Sequence, residues 1–373
     1  MPETRKKIYL ILSALLLSIL MAKSFFYFIN NQNNDNAINQ KTSEVRIKET
    51  KTHSSQNQNR KPIQSNDKAA VVKEKNSQWF EYLKEMIFDK KPIEAPQIST
   101  KPSPDPGFSF VVIGDSESYN EPTGYNEELP NVLKVASSYN SDFAVFTGDI
   151  ITTAVNHIKN KSRIMGLKKL IDGYFQKYYL VLAKHDLEGG PICVDYWHEI
   201  FWNKKFKPGE EKILYHSFDH KNTHFTILAT TYPEKYKYSL DKKQLDWLEN
   251  DLAQTHKNNK IVFMHVPPVT FFEESAEDCH DLSCEKEVQS RLLGIFQKYN
   301  VDLVISGHEH SFEHQAKNGI HYIISGNTGN SARYEDQKDS DVFSLVQIKD
   351  QSIKVQAIKV TGQVVKTIWV KKP

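Results

Sequence analysis

The chain has 373 residues, long enough for one large domain with extensions. Lys and Arg number 48 against 46 Asp and Glu, a formal charge of +2, and this near balance removes the electrostatic case for nucleic-acid binding. The hydrophobic share of 39% suits a globular domain diluted by polar sequence, and the scattered glycines form no phosphate-cradling loop.

Arg5, Lys6 and Lys7 precede an apolar run from Ile8 to Ala22, and an aromatic cluster follows Lys23. A basic start before a hydrophobic segment reads as a signal anchor or a signal peptide over residues 1–29. Leu20 stands two before Ala22, a poor small-x-small cleavage site, so an uncleaved membrane anchor is preferred and secretion after cleavage is the alternative. Basic residues stay cytoplasmic, which places the remainder in a periplasmic or extracellular space. Residues 30–76 are rich in Asn, Gln, Lys and Ser and read as a disordered tether. Within 77–106, Trp79, Leu83, Met86 and Ile87 recur at helical spacing, and a proline-rich lead-in follows. The folded domain is expected over 107–373. Cys279 and Cys284 are close enough for a local disulfide, which leaves Cys193 over.

From there, short apolar runs alternate with helical patterns. Phe108–Ile113 stops at Gly114-Asp115, and Phe143–Thr147 stops at Gly148-Asp149. Tyr178–Ala183 stops at Lys184-His185-Asp186, Ile261–Met264 at His265, and Val301–Ile305 just before Gly307-His308-Glu309-His310. Helical spacing covers Glu128–Ser138, Leu240–Thr255 and Glu285–Tyr299; Tyr215–Phe218 and His224–Ala229 suggest a hairpin. The C-terminal third alternates as strands do. Buried strands separated by helices imply a layered α/β fold, and such sheets place their sites beyond the carboxyl ends of strands. His308 and His310, two apart, suit a divalent metal. Five strands each ending in Asp or His exceed what turn chemistry explains. Carboxylates and imidazoles in one group suit two ions that clamp a phosphate ester.

With its motifs in this order, the sequence resembles the calcineurin-like metallophosphoesterase superfamily. Leu245–Leu252 ahead of Ile261–Pro268, then Ser306–Glu313 and Tyr322–Gly326, resemble its purple acid phosphatase-like branch. The resemblance covers about residues 108–330 and implies a two-sheet sandwich flanked by helices. It implies that Asp115 and His310 bind a first metal, that His265 and His308 bind a second, and that Asp149 bridges them. It also implies that His185 protonates the leaving oxygen, with Asp186 orienting it. One or two divalent ions per chain are expected, from Mn, Fe, Zn or Mg.

Three positions depart from the family. Glu117 stands where many members carry a histidine ligand; it is either a ligand favouring harder ions or an exposed loop residue. Thr152 stands where the purple branch usually has tyrosine, so an Fe(III)–tyrosinate centre is not expected. Lys184 replaces the family's asparagine ligand, and a protonated amine has no lone pair for a cation. Lys184 either fills the second metal's place, binds phosphate directly, marks a site without catalysis, or swings to solvent. Retention of His185 and the other ligands favours a working, altered site: a membrane-tethered enzyme hydrolysing phosphate esters with metal-bound hydroxide. The rivals are a weakened or inactive module that binds a phosphorylated ligand or partner, and an inert structural domain. Near the expected site, Tyr232, Tyr236 and Tyr238 form an aromatic segment, and Glu273, Glu274, Glu277 and Asp278 an acidic run.

Overall fold

The computed structural model describes residues 107–153, 157–207, 209–230, 238–271, 282–329 and 341–371. The anchor, the tether, the helix after Ser77, Cys279, Tyr232, Tyr236 and the acidic run lie outside the described residues. Among the described residues no helix is long and apolar enough to cross a membrane.

Among the described residues, twelve strands form two mixed sheets of six. In the first sheet, β1 (Phe108–Ile113) lies parallel to β2 (Phe143–Phe146), and β2 parallel to β3 (Tyr178–Leu180). Its other half is the antiparallel run β10 (Val342–Lys349), β11 (Ser352–Lys359) and β12 (Val364–Lys371), joined through β10 to β1. In the second sheet, β5 (Thr223–Ile227), β6 (Asn259–Phe263), β7 (Leu303–Ser306) and β9 (Ile320–Ser325) run parallel. The antiparallel strands β4 (His216–His220) and β8 (Phe312–Lys317) form its two edges.

Strand alternation explains the layering. In β1, Phe108, Phe110 and Val112 face the second sheet and pack with Phe225, Phe263 and Ile305. Val111 and Ile113 face outward and pack under α1 (Leu129–Ser137), α2 (His157–Asp172) and α4 (Pro191–Trp202). The outer face of the second sheet, with Val262, Met264 and Val304, is covered by α5 (Lys242–Gln254) and α6 (Lys286–Lys298). Strands at the centre of each sheet, such as β1, β2 and β7, are buried on two sides and mostly apolar, whereas the edge strands β4 and β8 are largely polar and β12 is mostly exposed or half-buried. The result is a four-layer α/β arrangement, the sandwich expected from the motifs.

Three elements are not evident from periodicity. Lysines dilute the buried stripe of α2, where Ile164, Leu167 and Ile171 carry the packing. Helix α4 follows Gly190, opens on Pro191, and is apolar on most sides. Strand β8 is a polar edge strand with an exposed end. Cys193 is a buried free thiol, whereas Cys284 takes part in a disulfide.

Candidate metal centre

Every predicted donor lies just past the C-terminal end of a parallel strand. Asp115 and Glu117 follow β1, Asp149 follows β2, His265 follows β6, and His308 and His310 follow β7. Half of the donors therefore belong to each sheet, and the centre straddles the two. Hydrogen bonds tie the halves together: His308 N–H donates to Asp115 Oδ1 at 2.8 Å, and His265 Nδ1 meets the Thr147 carbonyl at 2.9 Å. The backbone there is strained. Asp115, Asp149, His308 and His310 all adopt left-handed φ, at 52°, 46°, 76° and 53°. Such conformations cost about 1–3 kcal/mol each and persist where the surroundings hold them for a purpose. Two glycines make room. A Cβ on Gly148, which has a φ of 95°, would lie 2.9 Å from His265 Nδ1, and one on Gly307 would lie 2.6 Å from Asp115 Oδ2.

The donors converge in three sets: Asp149 with His265 and His308, Asp115 with Glu117 and His310, and Glu117 with Asp149 and His185. Within each set the ligand-capable atoms lie within 4.8 Å of one another. Asp149 and Glu117 each belong to two sets, so the sets lie side by side. His310 Nε2 is 3.8 Å from Asp115 Oδ1 and 3.6 Å from Glu117 Oε1. Glu117 is thus a buried member of the cluster; of the two readings open for it, the exposed loop residue is excluded.

The donor chemistry fits divalent cations. Thr147 offers His265 Nδ1 only an acceptor, so the proton sits on Nδ1. The buried Nε2 then faces Asp149 Oδ2 at 2.9 Å, out of hydrogen-bond alignment, as two ligands converging on one ion would. Charges agree. Burial, then the neighbouring Asp149, raise Asp115 to about 7 despite the opposing pull of His265, and burial with Asp149 and Asp115 pushes Glu117 well up. Burial also works to raise Asp149, but the charge and contact of His265, with help from His185, hold it well below the usual carboxylate range. Burial opposes the charge on His265, yet Asp149 outweighs it and lifts the ring to about 9. Crowded buried carboxylates of this kind gain most from a nearby cation.

The third motif is arranged differently from expectation. His185 and Asp186 lie in the one-turn helix α3 (Lys184–Leu187). The Asp186 carboxylate accepts from the backbone amides of Ile150, Ile151 and Ala183 at 2.9, 3.1 and 3.0 Å. It braces the loop that carries Asp149, and the expected orienting bond to His185 is corrected. Burial and Asp149 raise Asp186 to about 7. The His185 ring instead meets Glu188 Oε1 at 2.9 Å and the Tyr119 hydroxyl at 2.8 Å, both through Nδ1. Burial disfavours its charge, but the Glu188 hydrogen bond and Asp149 prevail and the ring's pKa is raised. The His185 amide donates to Asp149 Oδ1 at 2.8 Å, and its Nε2 lies 3.9 Å from Asp149 Oδ2. Glu188, three residues on, carries a helical-spacing signal; Tyr119 carries none.

Lys184, half-buried at the start of α3, makes no hydrogen bond or ion pair with any described residue. Thr152 is buried, and its carbonyl accepts from Arg163 Nη1 at 2.8 Å. Tyr238 packs edge-on against His308, with ring centroids 5.0 Å apart.

A family model described as calcineurin-like phosphoesterase matches residues 108–312. Acid phosphatase type 7 of Mus musculus is 33% identical over 117 residues, covering 28% of this chain and 27% of that protein. Purple acid phosphatase 1 of Ipomoea batatas is 24% identical over 224 residues, covering 57% of this chain and 44% of that protein. The chain thus spans less than half of these relatives. The structure of purple acid phosphatase PPD1 from yellow lupin, Lupinus luteus, shares the fold with a TM-score of 0.52 at 17% identity, covering 71% of this chain and 54% of that one.

Proposed function

The chain belongs to the calcineurin-like phosphoesterase family, on its purple acid phosphatase-like branch, and from that premise we propose that it hydrolyses phosphate esters with the help of divalent metal ions. The observation that carries this reading is the set of donor groups sharing Asp149 and Glu117 at the rim of both sheets. Asp115, Glu117 and His310 would hold one ion, and Asp149, His265 and His308 the other. Divalent ions held there supply Lewis acidity toward a phosphoryl oxygen and lower the pKa of water. The chain's own groups do the rest. His185 Nε2 points toward Asp149 and is the group placed to give a proton to the leaving oxygen. Lys184, with no partner among the described residues, supports a role as a point charge for the phosphate.

Lys184 also favours a second reading, a module that binds a phosphorylated ligand with little turnover, because it displaces an oxygen ligand from the family pattern. Metal content and p-nitrophenyl phosphate turnover of the full-length protein test the first reading. Stoichiometric metal with turnover supports it, and phosphate binding without turnover supports the second. Lys184→Asn then separates the two: a strong rise in activity means an attenuated native site, and a collapse means that the lysine takes part. For location, we infer an exported domain tethered by residues 1–29. The basic residues before Ile8 and a disulfide at Cys284 support an oxidising compartment. Recovery of the native protein in a salt-washed cytosolic fraction would sink that placement.

A further inference from the structure

The ring of His185 is held by groups outside the Lys184-His185-Asp186 motif that carries it. Glu188 offers Nδ1 a carboxylate oxygen at 2.9 Å, and the carboxylate can only accept. The Tyr119 hydroxyl gives its own proton to Glu188, at 2.9 Å from both carboxylate oxygens, so toward Nδ1, 2.8 Å away, it too presents an acceptor. Two acceptors on one nitrogen fix the proton there. The neutral ring is then the Nδ1–H tautomer, with Nε2 turned to the donor cluster, 3.9 Å from Asp149 Oδ2. Tyr119, though exposed, also stands edge-on to the imidazole, with centroids 5.4 Å apart at 86°, a second contact on the same ring. Asp186 is fully engaged with three backbone amides and is not available for this task.

We propose that Glu188 and Tyr119 are positioning residues that aim His185 Nε2 at the leaving oxygen, and that the site is therefore fitted to phosphate esters of weakly acidic, aliphatic alcohols. The inference rests on the hydrolytic reading above. Hydrolysis forms one P–O bond from water and breaks the ester P–O bond. The electron pair of the broken bond goes to the alcohol oxygen, which takes the Nε2 proton of the His185 imidazolium and leaves the neutral Nδ1–H ring; the attacking water loses one proton to solvent, and Nε2 regains one from solvent before the next turnover. A good leaving group such as a nitrophenolate departs without that proton, whereas an alkoxide does not. A dedicated clamp on the acid therefore matters only for poor leaving groups.

The test compares benzyl phosphate with 2,4-dinitrophenyl phosphate, using full-length, manganese-loaded protein whose metal content is measured. Glu188→Gln is expected to lower kcat/KM about 30-fold on benzyl phosphate but less than about threefold on the dinitrophenyl ester, with metal content unchanged. Glu188→Asp should recover part of the loss. Tyr119→Phe should give the same pattern, about fivefold on benzyl phosphate. Equal losses on both substrates, or none on either, would overturn the inference. A second readout needs no turnover. In the metal-free protein, the 15N spectrum of neutral His185 should show protonated Nδ1 in the wild type and a mixture of tautomers in Glu188→Gln. An unchanged spectrum overturns the clamp. Absence of turnover in the loaded wild type, with the spectrum as expected, instead sinks the hydrolytic reading and the substrate class while leaving the clamp in place.

Discussion

The two halves of the donor cluster solve the same problem with different chemistry. On one side, Asp149 faces His265 at 2.9 Å and His308 closes the group, so one carboxylate is matched by imidazoles. Held low by His265, Asp149 keeps its negative charge, and His265, lifted to about 9, carries a proton where an ion would sit. On the other side, Asp115 and Glu117 crowd together with His310, and burial pushes both carboxyl groups up. The imidazole-rich half is internally compensated without metal; the carboxylate-rich half is not. Nitrogen-rich sets suit borderline ions such as Zn, and oxygen-rich sets suit Mn or Mg. The Glu117 substitution therefore makes the two halves less alike than two copies of one site.

Removing Asp149, which belongs to the imidazole-rich set and to the set with Glu117 and His185 that links it to the other half, should produce the largest effect. Asp149→Asn takes the carboxylate from both of its donor sets and leaves His265 without its counter-charge. Metal content should fall at both halves, and activity by more than the about 10–100-fold typical of outer-shell partners. Retention of near-normal metal in elemental analysis would show that the halves do not meet at Asp149.

Next in size is the pH dependence of the metal-free protein, which separates the halves by window. Asp115 is raised from 3.8 to about 7 by burial, so the native state holds its proton over that interval. Its contribution to stability is full below pH ~4 and lost as pH rises through about 7. His265, raised from 6.5 to about 9 by Asp149 against the effect of burial, contributes fully below 6.5 and loses that contribution by about 9. The melting temperature should therefore fall on the order of 5 °C across these two windows, more steeply without metal than with it. Asp115→Asn should flatten the lower window and His265→Gln the upper one. A flat profile in the metal-free wild type would contradict both assignments.

Two glycines give a smaller, more local contrast. Gly148→Ala places a Cβ in left-handed backbone and 2.9 Å from His265 Nδ1, so it should weaken the imidazole-rich half and cost about 1–3 kcal/mol of stability. Gly307→Ala, with no positive φ, presses only on Asp115 Oδ2 at 2.6 Å and should disturb the carboxylate-rich half. Separate titrations with Zn and Mn would show whether each glycine guards its own side.

How much of this could be read before any coordinates depended on the kind of signal. Buried strands ending in Gly-Asp or His announce themselves, because apolar runs stop where the backbone must turn at the sheet's edge. The layered fold and the placement of Asp115, Asp149, His265, His308 and His310 near one another were legible in that pattern. The partner of His185 was not, because the motif's own neighbour, Asp186, is turned inward to satisfy the amides of Ile150, Ile151 and Ala183. A buried acid beside a histidine in sequence need not be beside it in space. Glu188 lay one helical turn away, and Tyr119 reaches the ring from the β1 loop, a contact that no local spacing encodes. Helix α2 was obscured by its lysines, which lie over a buried stripe of Ile164, Leu167 and Ile171. The left-handed backbone at four donors was less legible, since Asp and His are enriched among non-glycine residues at positive φ but mark it less sharply than glycine does.

The finest test of the asymmetry is Glu117→Gln, which removes one negative charge from one half while keeping shape and hydrogen-bonding atoms. Glu117 lies 3.6 Å from His310 and shares a donor set with Asp115, so the lost charge is local to the carboxylate-rich side. Mn affinity there should drop about tenfold, equivalent to about 1.4 kcal/mol. Burial, with Asp149 and Asp115, pushes Glu117 well up, so at neutral pH the metal-free wild type is penalised for keeping that carboxylate charged; Gln carries no such penalty, and the metal-free variant should be more stable there than the wild type. Zn at Asp149, His265 and His308 should change less than Mn does, although Glu117 also approaches Asp149. Glu117→His goes further: it replaces a hard oxygen by an imidazole nitrogen and should shift the preference of that half from Mn toward Zn. If both variants alter Zn and Mn affinity by the same factor, the halves form one undivided site, and their differing chemistry has no bearing on which ions the protein keeps.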